Sequence, residues 1–600
     1  MQKCSTVAGA LRKKYNRIVA FFWLALLAFA IAAPSFVNAY LVGFLTIFFL
    51  YSMLSISLNI AAGFCGMQTF ATGALYGMGA YVAAFAYAKF DLPFFPSMLL
   101  GTVAAVLAGF IISGSAYKVS GTYLALVSYA MLQVFNRVIL SEYEFTGGSS
   151  GFRVGSWLIF GERMDRYGKY YFILAVLVLF FLLQRNLSRS QWGRDFLAVK
   201  NDPIAASGLG INVGKTRVIG FVISSAIAGA AGALYAFYAS FISPESFTFR
   251  ISIMVLLMVV VGGRGTLTGP ILGTLFIYTV PELLNDYPDV KQITYGIMLI
   301  VFVLLLPKGL CGILKRKFHQ VADNKEIEGK PVAEKLNLEA YQVNAENPDE
   351  DILVLEGLTK EYGGLVALNN LDMRIKRGTI HALIGPNGAG KTTCVNNMTG
   401  IEKPTRGTVT FKGKDITGIN AAKLAYLGVT RTYQHVRLFH EMSVLDNVVT
   451  GARLSRFYGL GHALLSTGKR KKIDKESYLE AQDCLETLGL GSRSNEFPDQ
   501  MSAGQQKLLE IARAFVAKPE LLILDEPCAG LTETETAEFA VLMKEIRKTG
   551  ISILLIEHHM SLVMDVSDYI TVIDHGTKIG EGSPAEVSAD PVVRKAYLGE

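Results

Sequence analysis

Gly385-Pro386-Asn387-Gly388-Ala389-Gly390-Lys391-Thr392 follows the apolar run His381–Ile384 and leads into a helix-forming stretch. The spacing is G-x-x-x-x-G-K-[ST], and its setting of strand, loop and helix gives the pattern a mechanism. Successive backbone N–H groups and the N-terminus of the next helix face phosphate. Lys391 reaches the terminal phosphates, and the Thr392 hydroxyl is placed to ligate Mg²⁺. The candidate nucleotide-binding residues are therefore Gly385, Pro386, Asn387, Gly388, Ala389, Gly390, Lys391, Thr392 and the adjoining Thr393.

Working outward, the chain is polarised in composition. It has 600 residues, of which 51% are hydrophobic and 18% charged, with a mean hydropathy of +0.36. Soluble domains carry roughly 25% charged residues, so the deficit points to lipid. It is concentrated between Val19 and Leu306, where apolar runs recur at the ~20 residues a helix needs to cross a bilayer. Crossings are expected near 18–34, 40–62, 70–88, 96–115, 121–140, 169–184, 216–242, 251–264, 270–281 and 292–306. The Gly-rich stretches near 66–80 and 262–280 are candidates for broken or re-entrant helices, so eight to ten crossings are expected. The fold class expected is an all-α polytopic membrane domain followed by an α/β P-loop ATPase domain. The boundaries expected are 1–317 for the membrane domain, 318–349 for a polar linker, and 350–600 for the ATPase.

Charge orients the membrane half. Arg12, Lys13, Lys14 and Arg17 precede the first apolar run, which reads as an uncleaved anchor because further spans follow. The 185–217 loop holds Arg185, Arg189, Arg194, Lys200, Lys215 and Arg217 against Asp195 and Asp202, a net of +4. Lys308, Lys315, Arg316 and Lys317 follow the last span. Positive-inside logic puts all three in the cytoplasm, where the ATPase meets ATP. The net charge of +7 fits that distribution. Nucleic-acid binding is not expected, since no basic stripe with interleaved aromatics occurs. The six cysteines share no metal-ligand spacing and are not expected to form disulfides. Few charged residues lie mid-span, so an ion relay has little support. Gly73–Tyr76 and Gly232–Tyr235 both read Gly-Ala-Leu-Tyr, a hint of an internal repeat.

Downstream of the phosphate loop, Leu521–Leu524 is an apolar strand ending in Asp525 and Glu526. A buried parallel strand accounts for the apolar run but not for two acids at its end. Asp525 is placed to hold Mg²⁺ and Glu526 to polarise an attacking water. Upstream, Tyr362 is a candidate for stacking on adenine. Between them, Met501-Ser502-Ala503-Gly504-Gln505 opens a helical run. Here the sequence resembles the ABC transporter ATPases, whose signature this is, with Ala503 where Gly is commoner. The resemblance implies Ser502, Ala503, Gly504 and Gln505 as the signature. It also implies Gln434 as a catalytic glutamine and further Mg²⁺ ligand, His558 as a γ-phosphate contact, and Ala529–Thr532 as the D-loop, with Thr532 where family loops end in Asp or Asn. The signature of one subunit completes the nucleotide site of another in such ATPases, so a second half is implied.

The residues Arg431–Phe439 and the endings Glu581–Val587 and Ala596–Glu600 resemble the ATPases of branched-chain amino acid importers. Leu58–Gly63, Gly121–Ala125, Thr146–Ser149 and Gly193–Leu197 resemble the permeases of the same systems. The resemblance implies ATP and Mg²⁺ as cofactors, a bacterial cytoplasmic (inner) membrane, and an extracytoplasmic solute-binding protein. It implies a second permease/ATPase half, identical or related, and coupling through 193–212, where Ala205, Ala206 and Gly208 form a small-residue helix suited to a groove. The function implied is ATP-driven import, of branched-chain amino acids first, with urea, amides or aromatic acids as alternatives. A tethered ATPase that remodels a partner without transport is the competing class.

Overall fold

The computed structural model describes residues 25–282, apart from 117–121 and 160, and residues 350–598, with isolated positions at 23, 293–311 and 342. Its contacts divide the chain into two units. One comprises Met1–Arg189 and Gly214–Glu326, the other Ser190–Val213 and Ile327–Glu600. The second grouping differs from a simple cut at the linker, because the 193–212 stretch folds with the ATP-binding half.

The first unit is helical. Its main helices are α1 (Ala39–Leu58), α2 (Thr72–Lys89), α3 (Phe94–Ala116), α4 (Thr122–Ser141) and α5 (Arg166–Ser188). After the excursion α6 (Gln191–Asn201) and α7 (Pro203–Gly208), they resume with α8 (Val213–Ala239), α9 (Phe249–Gly262) and α10 (Gly269–Glu282). Among the described residues six helices are long and apolar enough to cross a membrane, and two shorter apolar helices cover Ala25–Ser35 and Gly269–Val280. The expected crossing at 292–306 lies outside the described residues except for isolated positions.

Small residues set the packing. A methyl group at Gly79 would sit 2.1 Å from the Gly229 carbonyl oxygen, and one at Gly232 would sit 1.9 Å from the Tyr76 carbonyl oxygen. In lipid such close backbone approach is what brings helices together. The two Gly-Ala-Leu-Tyr stretches therefore face each other, with the Tyr76 and Tyr235 rings 5.5 Å apart. Both Gly-rich stretches are broken. After a π-helical turn at Asn59–Phe64, residues 66–71 are not helical and α2 begins only at Thr72, and 263–268 separates α9 from α10. Freed backbone groups find side chains. Buried Asn59 donates to the Thr266 carbonyl (2.9 Å) and accepts from Gly265 N–H (2.9 Å). Ser252 Oγ donates to the Phe70 carbonyl and accepts from Gly73 N–H, while Ser128 Oγ accepts from Phe70 N–H.

The second unit is α/β. The strands β1 (Asp351–Tyr362), β2 (Leu365–Lys376), β4 (Arg406–Phe411) and β5 (Lys414–Asp415) make an antiparallel sheet in the order β2-β1-β4-β5. The strands β3 (Ile380–Ile384), β6 (Val429–Arg431), β7 (Leu521–Asp525), β8 (Ser552–Ile556), β9 (Tyr569–Asp574) and β10 (Thr577–Gly582) form the second sheet in the order β6-β7-β8-β3-β9-β10. All its pairs are parallel except β9 with β10. Its central strands β3, β7 and β8 are buried along their whole length, as strands covered on both faces must be. Side chains alternate between two cores. Leu522 and Leu524 face the helices α13 (Val444–Gly451), α14 (Gly468–Thr487), α15 (Ala503–Phe515) and α16 (Glu533–Lys548). Leu521 and Ile523 face the antiparallel sheet, α11 (Lys391–Met398) and α12 (Ala421–Leu427).

Candidate active site

The buried strand β3 delivers the chain to the phosphate loop. Gly388 and Gly390 take φ of +84° and +100°, a region L side chains rarely enter, and Gly390 is the N-cap of α11. The loop therefore ends with free N–H groups at a helix N-terminus. Lys391 is buried there, and its ammonium donates to the carbonyls of Gly385 (2.7 Å) and Pro386 (2.9 Å). Burial pushes its pKa down, opposed by the nearby carboxylates of Glu526 and Asp525. Thr392 is exposed at the same turn. Tyr362 is half exposed, bonds Glu402 through its hydroxyl, and lies 5.0 Å under the Lys360 ammonium.

Parallel register carries Asp525 and Glu526 to the same edge. Glu526 has a φ of +45°, a left-handed conformation that costs a non-glycine residue about 1–3 kcal/mol. Its Oε2 accepts from Gln434 Nε2 (3.0 Å), and its Oε1 lies 3.1 Å from His558 Nε2. The three residues expected to be catalytic are thus in direct contact, although they are separated by up to 124 positions in sequence. Lys507, on α15, donates to the carbonyls of Tyr433 (3.2 Å), Gln434 (3.1 Å) and Glu526 (3.4 Å), pinning the Gln434 loop to the strand end. Asp525 is paired with Arg431, whose Nη2 donates to Oδ2 at 2.6 Å. Neither Arg431 nor Lys507 is marked by a motif of its own as part of the site. Arg431 closes β6, and only the register Val429↔Leu521, Arg431↔Ile523 brings it beside the strand that carries Asp525.

The signature residues open α15 with a capping box. Ser502 Oγ accepts from Gln505 N–H, and Gln505 Oε1 accepts from Ser502 N–H. Ser502 and Ala503 are exposed on this chain's own surface. Thr532 has a comparable job as the N-cap of α16, with Glu535 returning the bond, which gives the unusual residue at that position a local role.

Ser190–Val213 packs within the same unit. Asp202 caps α7 by accepting from the N–H groups of Ile204 and Ala205, both at 2.9 Å. Its other oxygen accepts from Arg437 Nη1 at 2.7 Å. Ala205 and Ala206 are fully buried against Leu209, Tyr433, Phe439 and Met442. The Tyr433 hydroxyl donates to the Ile204 carbonyl (3.2 Å). The floor of this groove is thus the residue beside Gln434.

Comparison with known proteins assigns both halves of the chain to described families. Residues 40–306 match the family described as the branched-chain amino acid transport system / permease component. Residues 368–529 match the ABC transporter family, and residues 577–600 the branched-chain amino acid ATP-binding cassette transporter family. The chain is 43% identical over 252 residues to the high-affinity branched-chain amino acid transport ATP-binding protein LivG of Salmonella typhimurium, covering 42% of this chain and 99% of LivG. It is 39% identical over 250 residues to BraF of Pseudomonas aeruginosa, a protein of the same description, covering 42% of this chain and 98% of BraF. A nucleotide-free ATP-binding cassette from an ABC transporter superposes with a TM-score of 0.37 at 32% identity, over 42% of this chain and 100% of that one. The ATP-binding half is an ABC ATPase, on the cytoplasmic side of a multi-pass membrane protein, and its ATP hydrolysis is coupled to transport. The chain belongs to the branched-chain amino acid ABC transporter family, with permease and ATP-binding cassette fused in one polypeptide.

Proposed function

We propose that the chain is the combined permease and ATPase half of an importer that takes branched-chain amino acids from an extracytoplasmic solute-binding protein. The observation that carries this reading is the seating of Ser190–Val213, which lies inside the permease match, on Tyr433, next to the Gln434 that bonds Glu526. A movement of the Gln434 loop on ATP binding is thereby a movement of the floor on which the permease loop rests.

In this reading the N–H groups of 385–393 and the α11 N-terminus cradle the phosphates of ATP, and Lys391 exchanges its two carbonyl partners for phosphate oxygens. Tyr362 stacks on the base. The donor set of Thr392 hydroxyl, Gln434 carboxamide and Asp525 carboxylate is all oxygen, with one carboxylate, which suits an ion that keeps phosphate and water ligands. These three residues would hold Mg²⁺, which neutralises charge on the phosphates. Glu526 polarises the attacking water, held in place by Gln434 and Lys507, and His558 contacts the γ-phosphate. Ser502–Gln505 serves the site of a second copy or a related half, because a capped, exposed helix N-terminus offers donors and a positive dipole end.

The test uses the full chain in vesicles with its solute-binding protein. Labelled leucine should accumulate inside. Glu526→Gln should slow both accumulation and phosphate release by about 10²–10⁴-fold while ATP binding persists. ATP hydrolysis without accumulation of leucine would sink the reading, and preferential uptake of urea, amides or aromatic acids would reassign its substrate.

A further inference from the structure

We propose that α6 carries the address of the permease loop: the ion pairs that its buried Arg194 and Asp195 make with Asp474 and Arg453 admit only a cassette of matching charge, whereas α7 supplies shape. The inference rests on the reading of Ser190–Val213 as the coupling loop.

Two neighbouring residues of opposite sign are seated at once. Asp195 is completely buried, and its Oδ2 accepts from Arg453 Nε at 2.9 Å. Its Oδ1 has no hydrogen-bond partner among the described residues. Arg453 also donates to the carbonyl of Gly210 (3.1 Å) and the hydroxyl of Tyr426 (2.6 Å), and it lies 4.7 Å over the Phe457 ring. One guanidinium therefore ties the middle of α6 to the turn that follows α7. Arg194, itself buried, donates to Asp474 at 3.1 Å and lies over the Tyr478 ring. Tyr458 completes the clasp. Its hydroxyl donates to Asp474 and accepts from the N–H of Gln191, and its carbonyl accepts from the Trp192 indole.

Adjacent positions on a helix point about 100° apart, so the cassette grips α6 from two sides with opposite charges. A cassette neutral at 453 would leave Asp195 buried and uncompensated, and an acidic one would repel it. Either mismatch is strongly penalised, because a buried charge without its partner is far worse than no pair at all. The other contacts discriminate less. Lys200–Glu441 and Asp202–Arg437 keep side chains up to 47% and 35% exposed, where screening weakens them. Ala205 and Ala206 offer a small-residue face that any apolar groove of that width accepts.

The experiment is amide hydrogen exchange over 191–209 in the full-length chain in lipid nanodiscs, with ATP binding as the check that each cassette is folded. Arg453→Glu and Asp195→Lys should each speed exchange by about 100-fold or more. The reversed pair Asp195→Lys/Arg453→Glu, or the neutral pair Asp195→Asn/Arg453→Met, should recover protection to within about tenfold. Unchanged single variants, or double variants as loose as the worse single, overturn the proposal. Unprotected amides in the wild-type segment would instead overturn the coupling-loop reading beneath it.

Discussion

Replacing Ala206 with Glu tests the docking groove where it is least forgiving. The Ala206 side chain is 0% exposed in a cluster of Ala198, Val199, Leu209, Ile211, Phe439 and Met442. The Tyr433 hydroxyl of the same cluster already donates to the Ile204 carbonyl, and Arg437 is engaged by Asp202. A carboxylate placed there must shed its charge to stay docked. Protonating a group of pKa about 4.3 at pH 7 costs about 4 kcal/mol, at 1.36 kcal/mol per unit. Forcing four further heavy atoms into a packed site adds about 1–3 kcal/mol. Docking should therefore weaken by about 5–7 kcal/mol, enough to release α7 from its groove. The readout is amide exchange over 203–211 together with solute uptake, with ATP affinity as a control. Exchange should rise and uptake fall, while ATP still binds. The pH dependence separates charge from size. The docked carboxyl has a raised pKa, so docking is favoured below its free pKa and lost as pH rises. Moving from pH 7 to pH 5 should return about 3 kcal/mol to the Glu variant and nothing to Ala206→Leu. Full protection of 203–211 in the Glu variant at pH 7 would refute the buried-groove argument.

Three further outcomes are expected. Arg431→Met strips Asp525 of its 2.6 Å partner; the cassette should lose about 3–5 kcal/mol in denaturant unfolding, and Asp525→Asn on that background should recover part of it. His381 is buried against Thr571 (2.9 Å), and burial holds its pKa at about 4. The depressed value means stability is complete above about pH 6.5 and drains away towards pH 4, by up to about 3 kcal/mol; thermal scans should show this slope flattened in His381→Asn. Asn59→Leu orphans Gly265 N–H and the Thr266 carbonyl. At about 1–3 kcal/mol per unsatisfied group, uptake should drop while ATP affinity stays constant.

The ATPase chemistry was legible in the chain because its parts are local. A phosphate loop needs glycines at two positions of positive φ and a lysine after them, and Gly388, Gly390 and Lys391 stand side by side. The pair Asp525–Glu526 closes an apolar run, and Ser502 and Gln505 cap one helix three residues apart. Apolar runs of bilayer length announced the membrane half in the same way. Only the tertiary structure decided which distant residues meet. Arg431 reaches Asp525 through the parallel register of β6 on β7, and a register one residue out would turn it to the other face. Asp195 and Arg453 are 258 positions apart; Asp195 sits in the permease-like stretch Gly193–Leu197, but nothing in the sequence pairs it with Arg453 until the fold buries both. For the 193–212 stretch the small residues Ala205, Ala206 and Gly208 already suggested a groove, but only the fold decided which cassette residues receive it: Tyr433, Phe439 and Met442 around the alanines, Arg453 and Asp474 around the charges.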